Sequence, residues 1–201
     1  METLETRLNE VARIAVRLEQ QTGCPAQLLI AQWAIESKWG EKPVGYANYF
    51  GIKRAARHTK WCTVTTEEVF TAAHVEAWDH QHAAKPARVI AILPDGRQRV
   101  EIDDEFADYD SLDASCQDYA WLITHGDPYC TAWRQYQREG QLGRLISGVA
   151  HAYATGPQYA ELALEIACQP NVSSAITEVR TPQNRSTANA SFPVGSHPTG
   201  I

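Results

Sequence analysis

Among the acidic residues of this chain, Glu36 has the surroundings that most invite chemistry. It lies near the C-terminal end of an apolar run, Leu28-Leu29-Ile30-Ala31-Gln32-Trp33-Ala34-Ile35. If that run is helical, its C-terminus carries partial negative charge, which disfavours a second negative charge beside it. Trp33 and Trp39 would exclude water and disfavour the ionised form further. Both effects raise the pKa, and a carboxylic acid still protonated near neutrality can pass its proton to a leaving oxygen. Helix position taken alone favours the plainer reading, a solvated helix residue. Other reactive side chains say less. His74, His80 and His82 match no common helical pair of metal ligands, so they read as surface residues and no metal is expected. The cysteines at 24, 62, 116, 130 and 168 contain no C-x-x-C and sit in no nucleophile motif. They read as small apolar filler; their odd count leaves at least one without a partner in the chain, and bridges among the rest stay open. Asp103-Asp104-Glu105 reads as a solvated charge run rather than a catalytic group.

The elements that must hold Glu36 can be traced by periodicity. Leu4, Leu8, Val11, Ala15 and Leu18 recur at helical steps, and Gly23 breaks the pattern. Pro25 suits the first turn of a second helix, which runs through Trp39 and stops at Gly40. That helix is apolar over most of its surface, the mark of a central core element. From about residue 54 to 106 the period shifts toward two. Cys62–Thr65 is a short strand candidate, and Arg88–Leu93 and Arg97–Ile102 flank a Pro94-Asp95-Gly96 turn, which makes a hairpin. The stretch from Thr71 to Pro86 is either a short helix or an irregular loop. Helices then resume: one capped by Ser111, one opened by Asp127-Pro128 and ended by Gly140, one through Leu142, Leu145, Ile146, Val149 and Tyr153, and one after Gly156-Pro157 to about Cys168. The class is α+β, with the strands gathered in one small lobe.

Composition bounds the rest. The chain has 201 residues, 44% of them hydrophobic, and a net charge of −6. That supports one domain with a real core and argues against a nucleic-acid binder, which needs a basic face. No apolar run reaches the roughly 18 residues of a membrane span, so no membrane insertion is expected. The N-terminus is studded with charge and lacks the apolar stretch of a secretory signal. The expectation is therefore synthesis in the cytoplasm. From Asn171 to Ile201, Ser, Thr, Asn, Pro and Gly supply 17 of 31 residues, the composition of a flexible tail. The domain division is thus 1–170 and 171–201.

Five ordered motifs resemble a known family. Glu36-Ser37-x-Trp39-Gly40, then Asn48-Tyr49-Phe50-Gly51-Ile52-Lys53, then Phe106-Ala107-Asp108-Tyr109-Asp110-Ser111-Leu112, then Asp118-Tyr119-Ala120 with Asp127-Pro128-Tyr129, then Ala152-Tyr153-Ala154-Thr155-Gly156-Pro157-Gln158-Tyr159-Ala160 are similar to the signature of bacterial cell-wall glucosaminidases, glycoside hydrolase family 73. The match runs from about Leu4 to Cys168. The resemblance implies a lysozyme-like fold in which a helical lobe and a β-hairpin lobe flank a glycan groove. It implies cleavage of the β-1,4 bond after N-acetylglucosamine in peptidoglycan, without a cofactor, at a cell wall or periplasm that the protein is expected to reach by phage-type release or non-classical export; a monomer is expected. Glu36 carries over as the general acid and Tyr153 as a catalytic cleft residue near it. Asn48 and Phe50 carry over as floor or substrate-lining residues, with packing an equal reading of Phe50; Trp39, Tyr46 and Tyr159 are candidate substrate contacts, since aromatic faces suit pyranose rings, and Trp39 and Tyr46 also read as core.

A second carboxylate usually stands opposite the acid. In the family it follows a Thr-Thr pair, and Thr65-Thr66-Glu67-Glu68 matches. Strand alternation sends Glu67 and Glu68 to opposite faces; Glu67 is preferred as the base, with Glu68 beside it as a substrate contact. A base on a mobile lobe can approach on closure, and the substrate's own acetamido oxygen is the other route. The stretch between Glu68 and Phe106 is longer than the family pattern, with Trp78, Asp79, His80 and His82 in the extra part. Alternatives are a muramidase or lytic transglycosylase on the same fold, although those carry a different motif where Asn48–Lys53 stands here, or a non-catalytic peptidoglycan-binding module. An immunity or export partner is left open.

Overall fold

A computed structural model describes residues 2–153 and 157–181. In chain order these form α1 (Leu4–Thr22), α2 (Ala26–Glu36), β1 (Trp61–Phe70), α3 (Ala72–Gln81), β2 (Arg88–Ile92), β3 (Gln98–Ala107), α4 (Leu112–His125), α5 (Cys130–Glu139), α6 (Leu142–Tyr153), α7 (Pro157–Ala167) and α8 (Pro170–Arg180). α1, α4, α7 and α8 pack against α2, whose residues from Leu28 to Ala34 are all buried. The three strands form an antiparallel sheet in the order β1-β3-β2.

Each lobe has its own core. The helical core is continuous from α1 to α8. The small lobe closes over Val75, Val100 and Ile102, with Phe70, Trp78 and Ala87 packed against them. The seam lies at the end of β3, where Ala107 joins the helical core and its amide donates to the Ile52 carbonyl at 3.0 Å.

Several expected boundaries move. α2 ends at Glu36 rather than Gly40, and Lys38 and Trp39 adopt positive φ, 51° and 59°. Ser37 holds this reversal, for its hydroxyl donates to the Trp33 carbonyl (2.5 Å) and accepts from the Gly40 amide (2.9 Å). A Cβ at Gly40 would come 2.6 Å from Trp33, so only glycine fits. The ambiguous stretch is helix α3, capped by Thr71. β1 is ten residues long rather than four, because β3 extends far enough to pair with all of it. The fourth helical segment, α5, begins at Cys130, after the Asp127-Pro128 pair. The flexible tail does not begin at Asn171: α8 covers its first ten residues and buries Val172, Ala175 and Ile176. Residues 182–201, and the Ala154-Thr155-Gly156 part of the fifth motif, lie outside the described residues. All five cysteines are free; burial pushes the Cys24 thiol up to about 12. Asp103, Asp104 and Glu105 are paired rather than merely solvated, with Thr65 and Lys85, Lys53, and Arg54 respectively.

Candidate active site

Glu36 is the last residue of α2, partly buried. Burial pushes its carboxyl above the usual carboxylate range, while the Tyr159 hydroxyl in contact with it, wherever it acts as donor, pulls the other way. Tyr159 comes from the first turn of α7 and also lies 3.0 Å from the Gln32 side-chain oxygen. Gln32 and Glu36 are one turn apart on α2, so they share a face. A Cβ on Gly51 would lie 3.7 Å from the second Glu36 oxygen. Gly51, at φ +62°, is therefore bare backbone beside the carboxyl.

The floor of this site is built by Asn48. It is fully buried and uses all its polar capacity: its amide nitrogen donates to the Ile52 and Ala107 carbonyls, and its oxygen accepts from the Phe50 and Ile52 amides. It ties the loop carrying Gly51 to the end of β3. Phe50 is fully buried too, stacked on Tyr119 with ring centroids 4.3 Å apart. Of the two expected readings, floor or substrate lining, burial favours the floor: both side chains act from beneath the surface. Tyr153 donates to the Phe50 carbonyl, and its ring lies 6.0 Å from that of Tyr129. The hydroxyls of Tyr129 and Tyr153 are both pushed up by burial and then by the Glu36 charge. Tyr129 and Gln32 were not singled out as site residues. A glutamine one turn before Glu36, inside the otherwise apolar run from Leu28 to Ile35, was the available signal.

Beside Tyr153 and Tyr129 opens a cleft of about 420 Å³, lined also by Gly51, Lys53, Arg57 and Asp127. Its rim is fixed by Asp118 of α4, which accepts from Arg57 (3.0 Å), His58 (2.9 Å) and the Tyr109 hydroxyl (2.6 Å). The Ala55 amide donates to His58 Nδ1, so the neutral ring carries its hydrogen on Nε2, facing Asp118.

The other expected residues stand apart from this constellation. Trp39 packs edge-on against Trp33, 6.1 Å between centroids. Tyr46 is 75% exposed beside a separate cavity of about 380 Å³ lined by Tyr49 and Asp110. Glu67 and Glu68 occupy opposite faces of β1. Glu68 is opposite Val100, on the face covered by α3, and Glu67 is opposite Glu101, on the exposed face that also carries Arg88. Among the described residues, no side-chain hydrogen bond joins either carboxylate to Glu36 or Tyr159. Among the described residues no cluster of ligands suits a metal ion, and no helix is long and apolar enough to cross a membrane.

The chain is similar to known proteins in sequence and in fold. The glucosaminidase family model, described as mannosyl-glycoprotein endo-beta-N-acetylglucosaminidase, matches residues 12–171. A peptidoglycan hydrolase FlgJ of Vibrio cholerae is 31% identical, over 82% of this chain and 42% of its own length. That of Pseudomonas aeruginosa is 26% identical, over 84% and 37%. The chain thus spans less than half the length of these relatives. The catalytic domain of the Listeria monocytogenes autolysin Auto superposes with a TM-score of 0.64 at 21% identity, covering 87% of this chain and 89% of that one. The glycoside hydrolase domain of Salmonella typhimurium FlgJ gives 0.54 at 20%, covering 88% and 94%. These two likenesses establish the fold, a helical body with a small three-stranded sheet. With the family model spanning both lobes and the residues around Glu36, this chain belongs to the glucosaminidase family of glycoside hydrolases.

Proposed function

We propose that the protein is a peptidoglycan hydrolase, an endo-β-N-acetylglucosaminidase that cleaves the β-1,4 bond after N-acetylglucosamine with Glu36 as general acid. The observation that carries this reading is the state of Glu36: a carboxyl whose burial favours its protonated form, beside bare backbone at Gly51 and at the edge of a tyrosine-lined cleft. The names of the curated relatives supply the polymer. A protonated carboxyl there donates to the glycosidic oxygen as the bond breaks. Tyr153, held by the Phe50 carbonyl, flanks the sugar as positive charge develops.

In this reading the second group is Glu67, carried in from the exposed face of β1 as the lobes close, and the substrate acetamido oxygen is the competing route. Glu67→Gln separates them. A loss of about 10²-fold or more, with Glu68→Gln within a few-fold of wild type, supports Glu67. Retained activity in both assigns the step to the substrate. The polymer is met at the cell wall.

The bond is tested by digesting purified peptidoglycan, reducing with borohydride and reading the sugars by mass spectrometry. Reduced N-acetylglucosamine ends are expected. Reduced N-acetylmuramic acid ends would make the enzyme a muramidase, anhydro ends a lytic transglycosylase, and binding without new ends a recognition module.

A further inference from the structure

Gln32 is a polar side chain at 0% exposure in the middle of α2, where every neighbour from Leu28 to Ala34 is apolar. Its side-chain oxygen faces the Tyr159 hydroxyl, and its amide nitrogen has no partner among the described residues. A buried amide donor without a partner lowers stability, because its hydration is lost and not replaced. Packing alone would be better served by methionine or leucine, so the position carries a stability cost that a catalytic arrangement can explain.

The Tyr159 hydroxyl contacts both Gln32 and Glu36, yet it has one hydrogen to give. A carbonyl oxygen can only accept. With that oxygen turned to Tyr159, the hydroxyl hydrogen goes to Gln32, and the hydrogen in the Glu36–Tyr159 contact has to come from Glu36. We propose that Gln32 is a positioning residue: its carbonyl takes the single hydrogen of Tyr159, so that Glu36 holds the proton between them and stays a carboxylic acid. Gln32 thereby cancels the opposing pull that Tyr159 would otherwise exert as a donor to the carboxylate. The other groups facing Glu36 are the Tyr153 and Tyr129 hydroxyls, from α6 and the turn before α5, and the Gly51 backbone. None carries a charge near neutrality. This inference rests on Glu36 being the acid of the proposed reaction, but its test does not need turnover.

The test is a carboxyl ¹³C NMR titration of protein labelled at glutamate, with the Glu36 signal identified by its absence in Glu36→Gln. In Gln32→Met the freed Tyr159 hydrogen turns to Glu36, and the midpoint falls by about one pH unit. Adding Tyr159→Phe removes that donor and returns the midpoint upward, and Gln32→Met then has no further effect in the Tyr159→Phe background. A merely structural Gln32 would lower the melting temperature on replacement; the expectation here is a melting temperature no lower than wild type. If wild type cleaves peptidoglycan, the alkaline limb of its pH–rate profile moves down in Gln32→Met by the same amount. An unmoved or raised midpoint in Gln32→Met overturns the inference, as does a downward shift that persists without the Tyr159 hydroxyl. The opposite amide orientation, with nitrogen on Tyr159, predicts a raised midpoint and is thereby excluded or established. Absence of turnover in wild type would defeat the proposed function and leave the titration to decide this point alone.

Discussion

Glu36 and Asp118 are both partly buried carboxylates, and their neighbours push them in opposite directions. Burial raises Glu36, so the folded protein binds its proton more tightly than the unfolded chain does. Its stabilising contribution is full below the unfolded value and is lost as pH rises through the folded one. Removing the charge should therefore help most in alkali: Glu36→Gln is expected to melt above wild type at about pH 8, with the gap closing toward about pH 4. Burial would raise Asp118 as well, but hydrogen bonds from Arg57, Tyr109 and His58 outweigh it and hold the carboxyl below its usual range. That contribution is present above the unfolded value and lost as pH falls through the folded one. Asp118→Asn should melt well below wild type at neutral pH, and the deficit should shrink in acid; thermal melts across pH read both signs. The setting of Glu36 at the end of an apolar helix was legible because it is local to one stretch of chain. The Tyr159 contact was not, because 123 residues separate the partners and only the packing of α7 on α2 brings them together. Asn48 was legible as floor or lining, but spacing does not choose between these, since it does not reveal that both ends of its amide are consumed by backbone.

At the level of elements, the misread part of the chain was α8. Its sequence, Pro170-Asn171-Val172-Ser173-Ser174-Ala175-Ile176-Thr177-Glu178-Val179-Arg180, has the polar composition of a linker, yet Val172, Ala175 and Ile176 follow one another at helical steps and are buried. Composition averages over both faces; periodicity does not. Pro170 at the first turn starts the helix, and Arg180 reaches Glu19 of α1. If α8 is part of the folded unit, Ile176→Ala should cost about 2–4 kcal/mol in urea unfolding with the slope unchanged, whereas a tail residue would cost nothing. The hairpin was readable from its Pro-Asp-Gly turn and β-branched runs. The length of β1 was not, because Glu67, Glu68 and the threonines alternate without an apolar face of their own and owe their strand to pairing with β3.

For the whole molecule, the working geometry depends on how two cores meet. Helical and β lobes pack separately and are joined at the 48–54 loop, which Asn48 anchors and which carries Gly51 beside Glu36. Asn48→Ala should cost about 3 kcal/mol or more, because it strands several buried backbone groups. It should also reduce turnover at temperatures where the protein remains folded, since the loop then no longer holds the Glu36 surroundings. Exposed pairs across the seam, Arg54–Glu105 and Lys60–Asp110, contribute little each beside the buried Asn48 anchor and the Ala107–Ile52 backbone bond.

The most direct measurement is release of reducing ends from purified peptidoglycan by wild type and Glu36→Gln side by side, with melting temperatures recorded on the same preparations. Wild type is expected to release them, and Glu36→Gln to do so at least about 10²-fold more slowly while melting no lower. Wild-type rates in a folded Glu36→Gln protein would contradict the assignment of Glu36 as the acid.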